Sequence, residues 1–172
     1  MKTIKLGGTE YVYNDLSELS SVMEDLEIII GNGVSIGDNV SIDQYVFIGD
    51  GCTIENHVSI SRGSTIWSRC LIKEQATIGT SCDIEQYSTV ESNVFIPNGI
   101  SIPFNSNVSK VTQIIGSRHR ITYWGGDEIK IGCKVHKIDY WKENFRRIGR
   151  LQEYSLEEVE EYGKYIEEIS NM

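Results

Sequence analysis

The chain has three histidines, His57, His119 and His136, the side chains best suited to move a proton near neutral pH. His57 stands in Glu55-Asn56-His57-Val58, inside the repeated stretch described below. A zinc centre needs three or four ligands at short local spacings. His119 and His136 lie far from His57 in the chain, and no CxxC or Cys/His pattern joins the four cysteines, so no metal is expected. There is no P-loop, nucleophile elbow or dinucleotide fingerprint. The second chemistry is recognition. Trp67, Arg69 and Tyr87 set a guanidinium among aromatic faces, which suits a flat ring next to a phosphate, and Arg118, His119 and Arg120 can add phosphate contacts. The bland alternative is that these aromatics pack a subunit seam and the arginines pair with acids.

The elements that must position these residues follow from an uninterrupted period of six. Every sixth residue from Ile30 to Ile114 is Ile or Val, and two places earlier the side chain is usually small or β-branched, as in Val40, Cys52, Ser64, Cys70, Ala76, Cys82 and Ser88. That period fits neither a helix nor plain strand alternation and predicts a repeat architecture. Each hexad makes one short strand and one turn, three hexads close a triangular coil, and side chains 18 apart stack. Arg69 and Tyr87 are then neighbours on one edge. Gly31, Gly33, Gly37, Gly49, Gly51, Gly63, Gly79 and Gly99 fall at turns, with Asn39, Asn93 and Asn105, because these residues tolerate positive φ. Cys52, Cys70 and Cys82 occupy inward positions and read as packing thiols.

The pattern, seen in Ile36-Gly37, Ile48-Gly49 and Ile78-Gly79, resembles the hexapeptide-repeat, left-handed β-helix superfamily. The resemblance covers about half of the chain and implies an all-β solenoid with small α/β caps, a left-handed parallel β-helix of about 4.5 to 5 coils. It also implies a homotrimer of parallel coils with ligands in the clefts between neighbours. Acyltransferases of this superfamily use one histidine as base and acetyl-CoA as donor, which points to His57, although the local pattern around His57 differs from the usual one. Many of them extend loops from the coil to grip the acyl carrier; no hexad is interrupted here. The related γ-class carbonic anhydrases need three metal-binding histidines, which the coil lacks. The tail from Gly116-Ser117-Arg118 through Ile131-Gly132-Cys133 resembles a module behind repeat domains in phage and mobile-element proteins.

Residues 1–27 read as a capping segment: Ile4, Leu6, Tyr11 and Tyr13 alternate around Gly7-Gly8 as a hairpin, and Asn14 caps a short helix that closes the solenoid's open end. Residues 28–115 are the β-helix. Residues 116–172 read as a β-hairpin, Arg120 to Trp124 and Glu128 to Lys137, then a helix opened by Asp139 and a last helix with a Ser155/Glu158 capping box.

No apolar run is long enough to span a membrane and no signal-peptide core leads the chain, so a cytoplasmic location is expected, in a host cytoplasm if the gene is phage-borne. The net charge of −9 argues against a nucleic-acid polymer as partner. Nine Lys/Arg stand against four acids between Ser117 and Arg150, a basic run in an acidic chain. Together these features rank first a non-catalytic homotrimer that binds a small anion, such as a nucleotide signal sequestered by a phage protein, without a required cofactor. An acyl-CoA-dependent acyltransferase acting on a sugar or amine comes second, and a purely structural trimer third.

Overall fold

The computed structural model describes all 172 residues, which divide into two compact units, Met1–Lys110 and Val111–Met172. In the first unit the hexads form the expected β-solenoid. Its rungs build three parallel sheets, each with four or five rungs from the repeat. Register is kept at 18 residues per coil: Ile30 lies opposite Ile48 and Ile48 opposite Ile66, Ile36 opposite Ile54, and Ile42 opposite Ile60. Ile42, Ile48, Ile54, Ile60, Ile66 and Ile72 are all at most 1% exposed. Burying each such side chain contributes roughly 1.5–3 kcal/mol, so the stacked aliphatic columns are the main source of stability.

The corners have a single backbone solution. Every sixth residue from Glu27 to Asn105 has φ between 52° and 69°. Gly and Asn take that conformation at little cost, but the same series includes Tyr45, His57, Arg69, Gln75, Ser81 and Tyr87. The next position is Val111, whose β-branched side chain opposes positive φ, and the coil stops there. Ile114 therefore ends the hexad series without forming a rung: Thr112–Ile115 pairs antiparallel with Arg120–Tyr123, Ile114 opposite Ile121. The turn glycines also divide into two kinds. Gly51 needs positive φ, whereas Gly31 and Gly79 do not; a Cβ there would meet Asp50 Oδ1 at 2.5 Å or Asn98 Oδ1 at 2.6 Å in the next coil. Those oxygens accept from the Asn32 and Thr80 N–H groups at 2.7 and 2.8 Å, so coil-to-coil approach sets the side-chain size.

Polar groups inside the coil are paired by rule. An inward Ser or Cys donates to the carbonyl 15 residues on and accepts from the N–H 18 residues on. Ser64 Oγ donates to Gly79 O at 2.7 Å and accepts from Cys82 N–H at 3.0 Å; Ser88 Oγ donates to Pro103 O at 2.9 Å and accepts from Ser106 N–H at 3.2 Å. Cys52 and Cys70 follow the same pattern, with Cys52 Sγ 2.9 Å from Trp67 O and Cys70 Sγ 3.1 Å from Glu85 O. Burial raises the Cys82 thiol, and the bond to Cys52 together with burial raises Cys70. Cys70 and Cys82 are therefore neutral packing groups, whereas the bond with Cys70 brings the Cys52 thiol down to about 7.

At the N-terminus the strands Lys2–Leu6 and Thr9–Tyr13 form the hairpin, and the first of them pairs parallel with Val40–Ile42. Eighteen residues before Val40–Ile42 the chain is already in helix α1 (Ser20–Asp25), so the hairpin strand supplies the missing rung and buries Ile4 and Leu6. The lid of that sheet is thus the hairpin rather than the helix. The cap residue is Asp15, not Asn14: it opens a 3-10 turn, Leu16–Leu19, with Glu18 completing a capping box.

In the second unit the hairpin extends to a four-stranded antiparallel sheet, Thr112–Ile115, Arg120–Tyr123, Glu128–Ile131 and Lys134–Lys137. Gly132, at φ 59°, supplies the turn that splits the expected long second strand. Helix α2 (Ile138–Leu151) and helix α3 (Leu156–Ser170) follow, α3 opened by the Ser155/Glu158 capping box. Trp141, Tyr162, Ile166 and Ile169 pack on Ile121, Ile129 and Ile131. No helix is long and apolar enough to cross a membrane.

Two stability outcomes follow from this geometry. Ser64→Ala should cost about 1–3 kcal/mol in urea unfolding, because it removes a buried donor and acceptor at once, whereas Ser64→Cys should cost less. His57→Gly should stay within about 1 kcal/mol of the parent, since relief of the left-handed backbone offsets the added freedom of the unfolded chain.

Candidate functional site

His57 projects from the edge between the sheet containing Thr53–Ile54 and the sheet containing Ser59–Ile60. Its backbone N–H donates to Asp38 O at 2.9 Å, which stacks this corner on the one below. The residue is exposed, and its imidazole has no hydrogen bond within the chain. The φ of 59° sets only the direction in which the His57 Cα–Cβ bond leaves the corner.

Arg69 and Tyr87 share a different edge, between the sheets of Thr65–Ile66 and Leu71–Ile72. They stack as the 18-residue period requires: Arg69 Nη1 donates to Tyr87 Oη at 2.7 Å and the guanidinium lies 5.5 Å from the ring centre. Tyr87 meets Phe104 edge-on at 5.5 Å. Trp67 packs on Phe47 at 5.9 Å and its Nε1 donates to Asp83 Oδ1 at 2.7 Å. Trp67 and Phe104 are 42% and 59% exposed and wall an open cleft whose other lining is Asp83, Glu85 and Gln86. Of the recognition residues named from the sequence only Trp67 lines this cleft, and its carboxylates do not suit a phosphate. Asp83, Glu85 and Phe104 go unnoticed in the sequence because they join Trp67 only through the coil repeat, Asp83 stacking on Thr65 in the outward column.

Arg118, His119 and Arg120 belong to the second unit. Arg118 is engaged there: Nη1 donates to Glu153 O at 2.9 Å, sits 3.6 Å from Glu158 Oε2, and the guanidinium lies 4.9 Å over Tyr154. Burial, then the neighbouring Tyr162, pushes the Tyr154 phenol up to about 12, against the pull of Arg118. The Arg118 and His119 N–H groups both donate to the Tyr162 hydroxyl, which donates to His119 O at 2.8 Å. These bonds fasten the loop to α3. Arg120 is exposed at the start of its strand. No group of three or more His, Cys, Asp or Glu converges as a metal site.

Comparison with known proteins places the repeat. Residues 33–66 match the bacterial transferase hexapeptide family, described as six repeats. No curated protein sequence matches the chain significantly. Among solved structures the chain is similar to the acetyltransferase domain of PglB from Neisseria gonorrhoeae, at 18% identity over 49% of this chain and 50% of that one, with a TM-score of 0.40. It is also similar to a variant of GDP-perosamine N-acetyltransferase from Caulobacter crescentus in complex with CoA and GDP-perosamine, at 13% identity, 64% of each chain and a TM-score of 0.41. A hexapeptide transferase family protein from Anaplasma phagocytophilum aligns over 97% of this chain and 93% of that one, at 11% identity and a TM-score of 0.26. The chain thus spans about half the length of the first of these and 64% of the second. The family match ends within the coil and gives no support to a phage-type tail. Residues 33–66 of the coil thus carry the hexapeptide repeat described for bacterial transferases, and the same six-residue register continues on both sides of the match.

Proposed function

We propose that the protein is an acyltransferase that moves an acyl group from coenzyme A to the hydroxyl or amine of a sugar-like acceptor, in clefts between the subunits of a homotrimer. The observation that carries this reading is the transferase-repeat match over residues 33–66, a segment that contains the one histidine of the coil. His57 is exposed and free of internal hydrogen bonds, as a base that must meet substrate has to be. In the reaction, the acceptor nitrogen or oxygen bonds to the thioester carbon as His57 takes its proton. The carbon–sulfur bond breaks, and the thiolate leaves with the proton the imidazolium returns. The coil offers the donor's phosphates Arg62, stacked 4.8 Å over Tyr45, and Arg69, both on exposed edges.

His57 and the cleft of Trp67 occupy different edges of one coil. A three-fold assembly is heterologous, so the edge of one subunit meets a different edge of the next, and a shared site then exists only between copies. Carboxylates and aromatic walls at Trp67 suit an acceptor rich in hydroxyls or carrying an ammonium group. This chemistry favours acyl transfer over capture of a nucleotide at these residues.

His57→Gly should keep the fold and lower turnover of acetyl-CoA with an amino-sugar acceptor by about 10²–10⁴-fold. Full activity in that variant would reject the base. Random co-assembly of His57→Gly subunits with Trp67→Ala subunits should restore about a quarter of the parent activity, because each site then draws its two edges from different copies. Mixed trimers no better than either variant alone would place the whole site in one subunit. A purified trimer that retains a nucleotide and turns over no acyl-CoA would favour a non-catalytic binder instead.

A further inference from the structure

The second unit has its own charged cleft. Lys134 and His136 point to one side of the strand Lys134–Lys137, and Tyr140, Arg147 and Gln152 close the cleft from α2 and its end. Three other cations of this unit are paired with acids: Arg118 with Glu158, Lys137 with Asp127 at 2.7 Å and Arg146 with Glu160 at 3.1 Å. No carboxylate lines the cleft of Lys134 and Arg147. Two cations and an imidazole gathered without an acid create a positive local field that a small anion lowers by accepting their hydrogen bonds.

The groups are also held in place before any ligand arrives. Arg147 Nη2 donates to Asn144 Oδ1 at 3.1 Å and to Tyr140 Oη at 3.4 Å, while Asn144 Nδ2 donates to Tyr140 O at 2.9 Å. The His136 ring lies 4.4 Å from the Tyr140 ring and 5.3 Å from Trp141, which is buried. The guanidinium and the imidazole are therefore braced by neutral partners where they line the cleft. Tyr140 is 39% exposed, which leaves ring surface for a flat group.

We infer that this cleft is a phosphate site, in which Lys134 and Arg147 bind a phosphoryl group and Tyr140 stacks on a ring attached to it. Arg147 supplies the planar fork, Lys134 a point charge and His136 a further donor; Asn144 is a positioning residue for Arg147. The site stands independently of His57 and of acyl transfer, and it differs from the Arg118 to Arg120 run, where Arg118 is already taken up by α3.

Calorimetric titration of the full-length protein with adenosine 3′,5′-bisphosphate, adenosine and inorganic phosphate tests it. The bisphosphate should bind and adenosine should not. Arg147→Gln and Lys134→Gln should each weaken binding about tenfold or more, while Arg120→Gln, an exposed cation of the same unit, leaves it unchanged. Inorganic phosphate competing for the same residues, with Tyr140→Ala weakening the bisphosphate alone, assigns the ring to Tyr140. Both lysine and arginine positions are on the surface, so thermal melts should match the parent. Equal affinity in the parent and both variants, or no binding of either phosphate compound by the parent, would overturn the assignment.

Discussion

One backbone conformation, repeated every sixth residue, holds this protein in its shape. Each left-handed corner turns the chain by one side of the triangle, so three of them bring it back 18 residues later, one coil higher. Without that regularity the Ile and Val columns would not superpose, and the apolar surface that stabilises the coil would be left partly in water. The cost of seating Tyr, His or Arg in such a corner is local, of order 1–2 kcal/mol, and is offset by stacking against the corners above and below. It also fixes the direction of those side chains, which is why the corners carry the functional candidates.

The same stacking explains what the interior tolerates. Serine and cysteine enter the core because each has a carbonyl and an N–H waiting at fixed offsets, so burial does not leave them unpaired. Ser106 shows the rule from its exception. Its hydroxyl is buried without a partner, since the carbonyl that would accept it, 15 residues on, belongs to Ile121 in the sheet of the second unit. Hairpin strand Lys2–Leu6 solves the matching problem at the other end by supplying a rung from outside the repeat.

Charge is divided less simply than the linear sequence suggests. Through Lys110 six Lys/Arg stand against fourteen acids, and beyond it ten stand against eleven. The basic run from Ser117 to Arg150 is balanced by the glutamates that open α3 and those just before it, Glu158 and Glu160 among them, which pair with Arg118 and Arg146. A count along the chain stops before α3 and so overstates the positive character of the module. Lys134 and Arg147, which face one small cleft beside α2, are among the cations of this run left without an acid.

The solenoid, its 18-residue coil, the Arg69–Tyr87 stack and the Ser155/Glu158 capping box are all local or strictly periodic, and such patterns can be read by counting, whereas the first cap was misplaced by one residue, at Asn14 instead of Asp15. The end of the coil was also written in residue types, since Val111 is the first β-branched residue at a corner position, although the hexad count ran on to Ile114. The cleft partners of Trp67, the substitution of a hairpin for the first rung, and the neutralisation of Arg118 depend on which distant elements touch. Asp83 and Glu85 come beside Trp67 through the coil period, but which outward side chains then touch is decided by their rotamers, and Glu153 and Glu158 reach Arg118 by packing between segments of unrelated spacing.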